Sequence, residues 1–184
     1  MKARHLISYG VALTVFMGIS PNSFGAGSPA PTATPAASKG NPYGAGAIDP
    51  AGPNDPILTI TNGSKTQKFT MKNLMAMHPT EISIFEPFVK KRQKFTVIPL
   101  AKLFEKLGIL SSSTVITKAL NDYVYKNKAS AFVTAKGYLA IKRNGTEIPY
   151  DEGGPIRLIY PDTSIWSKSL DPWNWSLSSI SAKK

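Results

Sequence analysis

Arg157 stands inside the apolar run Ile156–Tyr160. A guanidinium in a covered strand must be ion-paired or hydrogen-bonded, because burying it bare is too costly. Three arrangements satisfy that demand: an ion pair with Asp122 or Asp162, a side chain that reaches out to solvent, or an anion-holding arginine at a concave site. Other polar and aromatic residues fall at neighbouring strand ends. Asp122 and Tyr123 follow a strand break, Arg143 sits at a hairpin tip, and Tyr160, Asp162 and Trp166 follow the Arg157 strand. Together these seven form the candidate ligand-binding set.

The rest of the sequence narrows the chemistry. There is no cysteine, and His78 is the only histidine beyond the first few residues, so a Cys/His metal cluster is excluded. A Ser-His-Asp triad would have to use His78, which sits beside Pro79 at a helix end. Asp151-Glu152 reads as a polar turn. Gly153-Gly154-Pro155 reads as a backbone corner that needs positive φ and not as a phosphate loop. No catalytic residue and no metal ligand is assigned.

The elements that must position these residues are short. Ile57–Thr61 and Thr66–Thr70 flank Asn62-Gly63-Ser64 as a hairpin. Thr70 is an N-cap for a helix from Met71 to Met77, ended by His78-Pro79. Thr80–Phe85 alternates as a strand, with Ile82 and Ile84 on one side, and Phe95–Ile98 is another. Pro99 opens a helix in which Leu100, Leu103, Phe104 and Leu107 share one face, and Gly108 stops it. Thr114–Ala119 and Tyr123–Tyr125 are strands, while Ala129–Thr134 fits either a strand or a short helix. Tyr138–Arg143, the Asn144-Gly145 turn and Thr146–Pro149 form a second hairpin. Ile156–Tyr160 is a strand covered on both faces, and Asn174–Ser181 closes the chain with Trp173 and Trp175 beside it. Many short strands, two or three short helices and no βα alternation predict an α+β domain on mixed or antiparallel sheets.

Lys2, Arg4, the short apolar run Leu6–Ile19 and the small residues around Ser23–Ala26 predict a secretory signal over residues 1–25. The run is too short to span a bilayer, which takes about 20 residues. Residues 26–54 are rich in Pro, Ala and Gly and predict a disordered tether. Residues 55–184 are the folded domain, held by an ordinary core, since an exported chain without cysteine has no disulfides. The expected location is periplasmic or secreted, with no membrane span after cleavage. The formal charge of +11 suits a small anionic ligand, an acidic extracytoplasmic partner protein or an anionic cell-surface polymer. Lys90–Lys94, between Phe88 and Phe95, has the mix of cations and aromatics used on nucleic acid, but export argues against that partner.

Three segments in order, FTVIPLAKLFEKLGI, ALNDYVYKN and YLAIKRNGTEIPYDEGGPIRLIYPD, with WNWSLSSIS at the end, resemble the molybdopterin-binding domain of the sulfite oxidase type. The resemblance covers residues 56–181 and implies that family's α+β fold and a possible molybdopterin cofactor. It also places a metal-ligating cysteine in the stretch Ile84-Phe85-Glu86-Pro87, where this chain has none, and Ile98 replaces a glycine before Pro-Leu. The chain therefore resembles short, exported, cysteine-free variants. The expectation is a non-catalytic ligand- or partner-binding module with no cofactor. The alternative is a molybdopterin-dependent oxidoreductase with a non-cysteine metal ligand.

Overall fold

A computed structural model describes residues 51–184. The expected signal, residues 1–25, and the tether up to residue 50 lie outside the described residues. At the tether's end, Ala51 donates its backbone N–H to the Tyr150 hydroxyl at 2.8 Å, and Gly52 bonds the Asp55 carboxylate at 2.7 Å.

Two sheets carry the domain. The first has the order β2-β1-β9-β5-β6, built from β1 (Leu58–Asn62), β2 (Lys65–Phe69), β5 (Thr114–Ala119), β6 (Val124–Lys128) and β9 (Leu177–Lys183). Its β1–β9 pairing is parallel and the rest antiparallel, so this sheet is mixed. The second, wholly antiparallel, has the order β3-β4-β7-β8, from β3 (Thr80–Glu86), β4 (Lys91–Pro99), β7 (Tyr138–Arg143) and β8 (Arg157–Ile159). Three short helices complete it: α1 (Met71–Met75), α2 (Leu100–Lys106) and α3 (Ala129–Thr134). This is the α+β class expected.

Local chemistry explains most boundaries. Thr70 caps α1 by accepting from the Asn73 N–H while Asn73 returns a bond to the Thr70 N–H, a reciprocal capping box. Pro99 precedes α2, whose first N–H bonds Gly137 O at 2.9 Å, so the helix start is tied to the start of β7. Leu100, Leu103 and Phe104 are buried on the predicted face, and Gly108 follows at φ +64.

Several boundaries differ from expectation. Helix α1 ends at Met75 and not Met77. Ala129–Thr134 resolves as a helix, because Phe132 and Ala129 point into the core while Val133 and Thr134 face out. β4 begins at Lys91, so most of the basic run lies on a strand paired with β3 and not in a loop. Thr146–Pro149 is not a strand: one bridge, Arg143 to Thr146, is all that follows the Asn144-Gly145 turn, and β7 pairs with β4 and β8 instead. The closing strand starts at Leu177, three residues late, because Trp173–Ser176 forms a bend that carries two indoles inward.

Candidate functional site

The strand β8 is buried along its whole length, and Arg157 with it, at 0% exposure. Its guanidinium lies 2.8 Å from a carboxylate oxygen of Glu86, the last residue of β3, which is also fully buried. Neither Asp122 nor Asp162 is the partner, and the side chain does not reach solvent. Gln93 donates a short hydrogen bond to the other Glu86 oxygen and lies within reach of Asn144 in the β7 turn. The guanidinium rests 4.9 Å from the centre of the Phe95 ring and 6.0 Å from that of Trp175, so its faces are covered by aromatic rings.

Next to this pair, the residues after β3 and before β9 form an open cleft of about 230 Å³ lined by Phe88, Tyr123, Leu170, Asp171, Trp173 and Trp175, among others. Phe88 meets both indoles edge to face. Tyr123 leans over the rim, its hydroxyl donating to Asp171 O at 3.0 Å. Partial burial raises the phenol pKa above its ordinary value, with the Asp171 charge adding to the effect. Gly153 packs under Trp175 at φ +86; a Cβ there would come within 3.3 Å of that side chain.

The seven candidate residues do not converge. Tyr123 lines the cleft, and Arg157 lies beneath it. Asp122 is in the β5–β6 turn at φ +65, exposed and paired with Lys118 at 2.7 Å; that hydrogen bond and charge lower its pKa. Arg143 is turned away into an ion pair with Glu152. Tyr160 is fully buried, with its ring against Trp166 and Trp173, and burial pushes its pKa well up. It cannot touch a ligand as it stands. Trp166 is half-buried in the same aromatic cluster, against Tyr125 and Phe132. Tyr160 belongs to the core cluster and Trp166 packs against it while partly exposed.

Asp162 is a clasp. It accepts the Phe85 backbone N–H at 2.7 Å and the Arg92 guanidinium at 2.5 Å, which joins the loop after β8 to the β3–β4 hairpin. The Phe85 N–H and then Arg92 hold the Asp162 carboxyl below its ordinary value. A carboxyl lowered on folding contributes stability above its unfolded pKa and loses it as pH falls through the folded value. Asp162→Asn is therefore expected to lower the thermal midpoint at pH 7 and to differ less from the parent below about pH 3. Thermal melts of both proteins from pH 7 to pH 2.5 check this. A constant difference across that range would contradict it.

Sequence reasoning missed Glu86, Gln93 and Phe88. A signal for Glu86 was present: it continues the Ile82, Ile84 alternation, so it belongs to the inward face of β3. The stretch where the resemblance places a metal-binding thiolate thus offers one side-chain donor, a carboxylate engaged by Arg157 and Gln93. Among the described residues no three His, Cys, Asp or Glu side chains gather as a metal site. A thiolate-ligated molybdenum does not fit these residues.

A family model described as the oxidoreductase molybdopterin binding domain matches residues 51–171. No curated protein matches the chain. Among solved structures, the crystal structure of the sulfane dehydrogenase SoxCD from Paracoccus pantotrophus is similar, with a TM-score of 0.57 and 16% identity. The likeness covers 74% of this chain and 40% of that one, so this chain spans less than half of its length. At that identity it speaks for the fold alone.

Proposed function

Because the chain belongs to the oxidoreductase molybdopterin-binding domain family, whose fold it has, we propose that it is a non-catalytic, exported variant that binds a partner through the cleft of Phe88, Tyr123, Trp173 and Trp175. The observation that carries this is the Glu86–Arg157 pair: a closed, charge-neutral contact occupies the stretch where the family's metal thiolate would stand. A cleft of about 230 Å³ is below the usual 300–1,000 Å³ of small-molecule sites. It suits one inserted side chain of a partner protein, the way aromatic pockets take an anchor residue. Exposed Leu170 in its lining, and exposed Leu120 next to the lining residue Asn121, add apolar surface. Among the described residues no helix is long and apolar enough to cross a membrane.

The test is to purify the protein from its own host's exported fraction and measure intact mass, molybdenum and pterin fluorescence together. The expected result is a chain shortened by residues 1–25 with neither metal nor pterin. Stoichiometric molybdenum or pterin would overturn the non-catalytic assignment in favour of an oxidoreductase with an oxygen ligand, for which Glu86 is the donor at hand. An uncleaved chain confined to the cytoplasm would overturn export.

A further inference from the structure

The mixed sheet buries one face and leaves the other open. Leu58, Ile60, Val115, Leu177 and Ile180 point into the core. By strand alternation their neighbours point outward. The pairing register sets these in rows across the sheet. One row runs Lys68, Thr59, Ser179, Lys118, Val124; the next runs Thr66, Thr61, Ser181, Ile116, Lys126. A third places Lys183, Thr114 and Lys128 side by side. Thr59, Thr61, Ser179 and Ser181 thus sit side by side on β1 and β9, with Lys68 and Lys126 on the edge strands and Lys118 and Lys183 on inner ones. At about 4.8 Å per strand the five strands give a platform roughly 19 Å wide.

The charge on this face is one-sided. Of its five lysines only Lys118 makes an ion pair among the described residues, with Asp122. Lys128 reaches Ser112 O and the Thr114 hydroxyl, while Lys68, Lys126 and Lys183 make no ion pair among the described residues. Lysines on the edge strands β2 and β6 also discourage edge-to-edge pairing. That role does not account for Lys118 and Lys183 on inner strands, nor for the hydroxyl rows between them.

We propose that this face binds an extended anionic polysaccharide. The hydroxyls match sugar hydroxyls, and the lysines match carboxylates repeated along the chain. Single-stranded nucleic acid needs stacking rings, and the outer face has none: Tyr125 of β6 turns inward against Phe132 and Trp166. A partner protein needs a large aromatic or arginine anchor in the patch, and apart from Ile116 and Val124 these rows carry Thr, Ser and Lys. The site is separate from the aromatic cleft and does not depend on what that cleft binds.

Binding of the chain without residues 1–25 to immobilised polygalacturonate at 50 mM NaCl tests the proposal, with dextran as the uncharged comparison. The triple variant Lys68→Gln, Lys126→Gln, Lys183→Gln is expected to bind about tenfold or more weakly. A second triple, Lys72→Gln, Lys90→Gln, Lys91→Gln, removes the same charge elsewhere and should stay within about twofold of the parent. Thr61→Val with Ser181→Ala should weaken polygalacturonate binding and leave any DNA binding unchanged. Equal losses in the two lysine triples would overturn the proposal, reducing it to net charge. So would equal or tighter binding to single-stranded DNA or to anionic phospholipid vesicles, or no loss in the first triple. Circular dichroism confirms that each variant is folded.

Discussion

Replacing Arg157 by Met is expected to destabilise the domain by about 3–5 kcal/mol, because it strands the buried Glu86 carboxylate without its counter-ion. Glu86→Leu alone should cost a similar amount for the mirror reason, leaving a guanidinium between Phe95 and Trp175. The double variant Glu86→Leu, Arg157→Met should recover most of the loss and lie within about 1–2 kcal/mol of the parent. Desolvating two charges offsets much of their attraction, and an apolar pair of similar volume can stand in for them. Urea denaturation with a shared m-value measures all four corners of this cycle. If either single variant costs under about 1 kcal/mol, the pair is not a coupled buried contact.

Gly154→Ala is expected to be among the most damaging single changes to the backbone scaffold. A Cβ built on Gly154 would lie 1.8 Å from the carbonyl oxygen of Ile148, and the two nearest atoms after that are also backbone. No rotamer change relieves such a clash; the chain around Pro149 must move. The cost should reach or exceed the upper end of the 1–3 kcal/mol usual for overpacking. Gly153→Ala sits at φ +86 with Trp175 3.3 Å from the new carbon. It should cost about 1–2 kcal/mol for the left-handed backbone and also displace the indole in the cleft. Trp fluorescence separates the two: Gly153→Ala should shift the emission of the folded state, while Gly154→Ala should mainly lower the denaturation midpoint. A Gly154→Ala midpoint equal to the parent's would show that the corner is plastic.

How much of this was legible beforehand differs by element. Helix α2 could be located from Leu100, Leu103, Phe104 and the flanking Pro99 and Gly108, because its apolar stripe and its stop signals are local. The Gly-Gly corner was legible for the same reason. The second hairpin misled because Asn144-Gly145 does make a turn, but the chain beyond it goes to the Tyr150–Glu152 turn and the Gly corner and not back along β7. Pairing partners depend on tertiary geometry that a local turn cannot encode. In the site, Arg157 could be singled out as a buried cation from its neighbours alone. Its partner could not, since Glu86 is remote in sequence and looked like one more polar residue before a proline. From sequence, Tyr160 and Trp166 read equally as pocket lining or as core filling, because aromatic residues at a strand end can do either. Only packing separates those outcomes.

The placement of β9 has a consequence for how the chain is made. This last strand lies between β1 and β5 and is the sole link in its sheet between the first hairpin and the β5–β6 pair. It begins at Leu177, more than a hundred residues after β2 ends at Phe69. At the usual ribosomal pace of about 5–20 residues per second, the first hairpin waits roughly 5–20 s for its neighbour. During that interval the sheet is two unjoined fragments with Leu58 and Ile60 uncovered. The first hairpin and the β5–β6 pair therefore cannot be joined into one sheet until β9 has been synthesised.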